Sequence, residues 1–148
     1  MNQKPNSKVV LITGASSGIG KSIAVFLSEK GHTVYGTSRS PTKENSLPFN
    51  MIALDVLQKE TIDEAIHQII EKEGRIDVLI NNAGMGITGP IEDTPTDEMR
   101  RVFDTNFFGA IDMMKAVLPT MRFQKSGLIV NVTSIAGYMG LPFRGVYS

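Results

Sequence analysis

The sequence predicts an α/β protein with a parallel sheet of five strands and helices on both faces. Three observations carry that prediction. Short aliphatic runs stand at Val9–Ile12, Val78–Ile80 and Leu128–Val130, each followed by Gly, Asn, Thr or Ser. Stretches with apolar residues at helical spacing alternate with those runs. Glycines stand where the first two helical stretches should end.

Taken in order, Val9-Val10-Leu11-Ile12 reads as a strand buried on both faces, as continuous aliphatic runs do in parallel sheets. Ile19, Ile23, Phe26 and Leu27 then share one helical stripe, with Gly31 placed to close the helix. Thr33–Thr37 is a weaker strand. The polar stretch Ser40–Asn50, carrying Pro41 and Pro48, is expected to be a surface loop too short to separate two domains. Met51–Leu54 is a second weak strand. Ile62, Ala65, Ile66, Ile69 and Ile70 mark a second helix that ends before Gly74. After the run Val78–Ile80, a third helix is expected from Thr96. The Thr96 hydroxyl is placed to cap it, and Asp97 and Glu98 favour its positive end. That helix carries Met99, Val102, Phe103 and Phe107 and continues towards Pro119, before the last run at Leu128–Val130. Strand and helix in alternation with short connections imply right-handed βαβ units and a doubly wound sheet, with residues 1–148 as one domain.

Composition narrows the function. Of 148 residues, 41% are hydrophobic and 20% charged, which is ordinary for a globular chain. Fifteen basic residues against fifteen acidic ones leave zero net charge, so no nucleic-acid or anionic-membrane partner is expected. The chain has no cysteine, which removes disulfides, thiolate metal sites and cysteine nucleophiles. His32 and His67 lack a third ligand, and no metal site is expected. Met1–Lys8 is polar and Val9–Ile12 is too short to span a bilayer, so a cytoplasmic protein without a membrane span is expected.

The chemistry-bearing residues come in a fixed order. Gly14, Gly18 and Gly20, with Ser16, Ser17 and Ile19 between them, turn the chain from the first strand into the first helix. Glycine lets the backbone turn sharply there and lets a diphosphate approach the free N–H groups of the helix start. About twenty residues further on, an NAD site usually places a carboxylate for the ribose hydroxyls. Here Ser38-Arg39 stands instead, with no carboxylate between Lys30 and Lys43. A guanidinium pairs with a 2′-phosphate that a carboxylate would repel, so NADP(H) is the expected cofactor. Asp55, with Val56 behind it, ends the third strand and either reaches a ligand or caps the following helix. Asn81-Asn82-Ala83-Gly84 follows the fourth strand, where small residues let the chain pass close to a cofactor. Asn106 sits inside a helix, a mediocre place for asparagine that invites an explanation. Ser134 follows the fifth strand, where doubly wound sheets bind ligands, with Thr133 as its rival and Tyr147 thirteen residues further on.

Together these residues resemble the short-chain dehydrogenase/reductase family, and the stretch Gly140–Tyr147 looks most like its hydroxysteroid and retinol dehydrogenase members. The resemblance implies a Rossmann-type fold that interconverts an alcohol and a carbonyl by hydride transfer. It gives Gly14, Ser16, Ser17, Gly18, Ile19, Gly20, Ser38, Arg39, Asp55, Val56, Asn82, Ala83 and Gly84 to the cofactor, with Asp55 directed at adenine. It gives Asn106 a local helix bend and a water in a proton relay, Ser134 a hydrogen bond to the carbonyl oxygen, and Tyr147 the acid/base role. Family members place a lysine four residues beyond that tyrosine, followed by two strands and a substrate lid. Ser148 precedes all of these. The expected consequences are an exposed edge at the fifth strand and little turnover from residues 1–148 alone. A small, apolar alcohol or carbonyl substrate is expected, and a homo-oligomer when the fold is complete; Leu141, Pro142 and Phe143 either line the substrate mouth, with Met85, Gly86 and Ile87 on the same side, or form a loop packed on the next helix. The alternative is a catalytically silent NADP-binding module or fragment.

Overall fold

The computed structural model describes residues 7–41 and 47–148. Part of the expected 40–50 loop and most of the polar N-terminus therefore lie outside the described residues. Strands β1 (Val9–Ile12), β2 (Thr33–Ser38), β3 (Asn50–Ala53), β4 (Val78–Asn81) and β5 (Leu128–Asn131) form one sheet in the order β3-β2-β1-β4-β5. Every pairing is parallel, as the sequence predicts. The order reverses at β1, which runs between β2 and β4, and that reversal opens a crevice at the carboxyl ends of the strands.

Helices cover both faces. Alternate side chains of β1 point to opposite sides: Val9 and Leu11 join α2 (Lys59–Glu73) and α4 (Gly109–Gln124), whereas Val10 and Ile12 join α1 (Gly18–Glu29). On the first side Ile62, Ile69, Met113 and Val117 are buried, so Met113 and Met121 are packing residues, as their spacing suggests. Burying a side chain of this kind contributes about 1.5–3 kcal/mol. At the far end of the sheet, the buried Asp77 carboxylate accepts from the Val9 N–H at 2.8 Å and from the Arg75 guanidinium. The Asp77 backbone also bonds Val9 and Leu128, which aligns the starts of β1, β4 and β5.

Several expectations are corrected. The α1 stripe is displaced: Gly20 and Ala24 are the buried residues, while Ile19 and Phe26 are more than half exposed. Gly20 and Ala24 are small enough for the helix axis to approach the sheet closely. That approach rotates the larger side chains outward. The segment before β3 is not all surface, because Phe49 is buried against Gly36, where a Cβ would come within 2.6 Å of its ring. Among the described residues no helix joins β2 to β3, so strand and helix do not alternate throughout. The Thr96 hydroxyl caps nothing: Thr96 is already helical in α3 (Thr96–Phe103), and Pro95 precedes it. Finally, β5 is not buried on both faces. Leu128 is 56% exposed, since β4 borders it on one edge only. The long third helix divides into α3, a π-helical turn at Asp104–Phe108, and α4.

Tyr35 in β2 is buried, and its phenol donates to Glu73 Oε1 at 2.7 Å. Burial, then the hydrogen bond to Glu73, then the charge of Glu73 push its pKa well above the ordinary value near 10. The neutral phenol is thus favoured by folding. Its contribution is complete below about pH 10, where the unfolded tyrosine is also protonated, and is lost as pH rises further. Urea denaturation of the protein and of Tyr35→Phe across pH 9 to 11.5 should show the steeper alkaline loss in the wild type, by up to about 1.4 kcal/mol per pH unit. Equal slopes would contradict this account.

Candidate functional site

The crevice at the carboxyl ends of the strands is a cleft of about 500 Å3. Its walls bring together Gly14, Ser16 and Ser17 from the first turn with Ile19 at the start of α1, Ser38 and Arg39 at the end of β2, Asp55 and Val56 beyond β3, and Asn82, Ala83 and Gly84 beyond β4. Four segments far apart in sequence thus converge on one elongated hollow.

A clamp between the ends of β1 and β4 holds the floor in shape. Thr13 Oγ1 accepts from the N–H groups of Asn82 and Ala83 at 3.0 and 2.9 Å. The Asn82 carboxamide donates to the carbonyls of Thr13 and Gly14, both at 3.0 Å. Thr13 is buried, so each of these groups would cost free energy if left unpaired.

The three glycines have different tasks. Gly14 has φ +67°, and a Cβ on it would meet Ala83 Cα at 2.9 Å. Gly18 has φ +56° and faces open space, which leaves its surroundings free for a ligand. Gly20 does not line the cleft. It is buried, and a Cβ there would overlap the Asn82 carboxamide and the Gly14 carbonyl oxygen. The sequence reading gave Gly20 to the cofactor; its place is against the clamp.

Of the residues read as catalytic, Asn106 and Tyr147 stand beside the segment after β4, whereas Ser134 contacts its own turn after β5. The Asn106 carboxamide embraces Met85: Oδ1 accepts its N–H and Nδ2 donates to its carbonyl oxygen, each at 2.8 Å. Asn106 lies in the π turn, so the helix deviates where an asparagine was conspicuous. Both polar atoms of that side chain are occupied by backbone. Gly86 brings Tyr147 close, since a Cβ on it would lie 4.0 Å from the Tyr147 ring and 3.3 Å from Arg144 Nη1. The Phe143 carbonyl accepts from the Gly89 N–H at 2.9 Å, which ties the loop after β4 to the final segment. Ser134 Oγ accepts from the Ala136 N–H at 3.1 Å and caps a short 3-10 turn after β5.

Asp55 Oδ1 accepts from the Leu57 N–H at 3.0 Å, within the turn before α2, and does not cap that helix, whose N-cap is Gln58; Asp55 also lines the cleft. Arg101 is also on the cleft wall together with Thr105 and Met85. Its four-residue spacing from Thr105 was a usable signal only once the helix face towards the cleft was known.

These features match known proteins closely. Residues 8–148 match the family model described as short chain dehydrogenase. The chain belongs to the short-chain dehydrogenase family. Among relatives in that family, 3-ketodihydrosphingosine reductase of Bacteroides thetaiotaomicron is 52% identical over 141 residues, covering 95% of this chain and 52% of its own length. Human retinol dehydrogenase 8 is 40% identical over 154 residues, covering 95% of this chain and 49% of its own. The solved structure of ElxO with NADP bound superposes with a TM-score of 0.89 at 36% identity, over 95% of this chain and 61% of that one. The chain therefore spans about half the length of the curated dehydrogenase relatives it matches. No described helix is long and apolar enough to cross a membrane.

The contrast between Gly18 and Gly20 is testable by Ala substitution at each. Gly20→Ala should destabilise the protein by about 3 kcal/mol or more through overpacking, with loss of dinucleotide binding. Gly18→Ala should cost only the backbone strain, about 1–2 kcal/mol. Chemical denaturation of both variants checks this; equal costs would place Gly20 at the ligand and not at the clamp.

Proposed function

We propose that the protein is an NADP(H)-dependent oxidoreductase interconverting a secondary alcohol and a carbonyl on an apolar substrate. The observation that carries this is the cleft itself. A glycine turn leads into a helix N-terminus, Arg39 stands where an NAD site would place a carboxylate, and Asp55 is the one carboxylate among the described residues that line the cleft, bound to its own turn. The left-handed Gly18 with open space beside it fits a diphosphate approaching the start of α1. Ser38 and Arg39 would hold the 2′-phosphate. ElxO supports the same cofactor, since its structure carries NADP.

When bound, the nicotinamide ring supplies or takes up the hydride at the substrate carbon. The chain's own residues handle the oxygen. In reduction, Tyr147 gives its phenolic proton to the carbonyl oxygen while the Ser134 hydroxyl hydrogen-bonds that oxygen as charge develops. The phenolate is then reprotonated from solvent. In oxidation, the phenolate takes the alcohol proton. A phenol with pKa near 10 is a weak base at neutral pH, and the family's lysine beyond Tyr147 is the group expected to ease its ionisation. Asn106 fixes Met85 and so the loop that carries Gly86 past Tyr147. Without the segment beyond Ser148, residues 1–148 alone should turn over little or not at all.

Met85, Ile87, Leu141 and Phe143 supply the apolar approach, and the two relatives named for a ketosphingoid and a retinol point to the same class of substrate. A panel of short polar and long-chain carbonyls with NADPH tests it, and turnover confined to short polar carbonyls would overturn the apolar assignment. For the full-length protein, Tyr147→Phe should lower kcat by at least about 100-fold with NADPH affinity unchanged. Equal activity of that variant would remove Tyr147 from the chemistry. Arg39→Ala should weaken NADPH about tenfold and NADH less than twofold, by titration calorimetry. Equal losses for both would remove the 2′-phosphate assignment. Nucleotide binding with no turnover on any carbonyl would favour a silent NADP-binding module instead.

A further inference from the structure

A second arginine lines the cleft besides Arg39, on a different element, and neither the family motifs nor the spacing from the glycine turn draws attention to it. Arg101 lies on α3, whose far end continues through the π turn into α4. One face of this continuous rod follows the cleft. Gly109 abuts Val56, where a Cβ would approach Val56 Cβ to 2.9 Å. Four residues earlier Thr105 lines the cleft beside Met85, and four earlier again Arg101 does so. Val56 and Leu57, which follow β3, are the apolar lining on that side. Arg39 instead extends from β2.

The Arg101 guanidinium is held only loosely. Among the described residues its ion-pair partner is Glu98 Oε1, at 3.8 Å on the same helix, and its side chain is 51% exposed. A pair of that length and exposure contributes little, so the group is available to a ligand. A guanidinium is planar and stacks on, or hydrogen-bonds to, flat heteroaromatic rings in a way an ammonium does not. A flat base resting on Val56 and Leu57 would present its free face or edge to Arg101.

We infer that Arg101 is a binding residue for the adenine base of the dinucleotide, acting through its planar guanidinium and independently of the 2′-phosphate. This rests on the reading of the cleft as a dinucleotide site. It divides the work between the two arginines. Arg39 discriminates NADP from NAD, and Arg101 contributes equally to both. Arg101 also couples adenine binding to the helix that carries Asn106, since five residues of one continuous rod separate them.

The test is titration calorimetry on the full-length protein with NADPH, NADH, 5′-AMP and nicotinamide mononucleotide, using wild type, Arg101→Gln and Arg101→Lys. Arg101→Gln should weaken NADPH, NADH and 5′-AMP alike, by about tenfold, the size expected for losing one contact to a base. Nicotinamide mononucleotide should be unaffected, and Arg101→Lys should not restore affinity. Loss confined to NADPH would make Arg101 a 2′-phosphate ligand and overturn the inference. Restoration by lysine would overturn the planar contact in favour of a point charge. A parallel loss for nicotinamide mononucleotide would show a merely structural effect, and no loss at all would leave Arg101 a surface residue. Failure of wild type to bind either dinucleotide would instead overturn the cleft assignment, so the two failures are distinguishable.

Discussion

The cleft depends on the reciprocal clamp between Thr13 and the Asn82-Ala83 backbone. A parallel sheet leaves the last N–H and carbonyl groups of its strands pointing into the crevice, where the ladder stops. The Thr13 hydroxyl and the Asn82 carboxamide satisfy those of β1 and β4 together, with four hydrogen bonds between two residues and their neighbours. Each such bond contributes about 1 kcal/mol net, but leaving buried partners unmade costs more. The clamp fixes the separation of β1 and β4 where the sheet order reverses. The glycine turn inherits its shape from that separation. Gly20 then allows α1 to close on the clamp, which aims the first free N–H groups of α1 along the cleft floor.

The second organising element is the join between α3 and α4. A π turn inserts an extra residue into the helical repeat, and here it places Asn106 where its carboxamide can replace the partners that Met85 would find in a strand. One side chain thereby anchors the backbone between the cofactor cleft and Tyr147. Gly109, just beyond the turn, removes the side chain that would hold α4 away from Val56. The Val56 side of the cleft and the loop that carries Gly86 past Tyr147 are therefore positioned by a single rod.

Much of this was legible in the sequence, and the reasons differ by residue. Aliphatic runs and glycine punctuation reveal five parallel strands because burial on two faces demands unbroken apolar stretches. They do not reveal which strand has one neighbour; the edge at β5, where Leu128 and Val130 are exposed, was expected from the family resemblance alone. Thirteen cofactor residues were expected and eleven line the cleft; Gly18 and Gly20 do not. Their motif spacing is the same whether a glycine serves a ligand or a neighbouring amide. Arg101 was missed because a charged residue on a helix is most often solvated, and only the rod's orientation shows which face meets the cleft. Phe49 was missed because prolines and polar residues around it mask one buried ring. The π turn could be suspected only from an asparagine in the wrong place.

The position of β1 has a consequence for synthesis. The strand is made before its two neighbours in the sheet, and only one of its edges finds a partner soon, in β2. Its other edge waits for β4, and Val9 bonds Asp77 across a sequence separation of 68 residues. At ordinary rates of translation of about 5–20 residues per second, that interval is roughly 3–14 s. For that time the nascent chain presents Val9, Val10, Leu11 and Ile12 with one edge open. Chaperone holding during elongation should therefore act on this strand before any other part of the sheet.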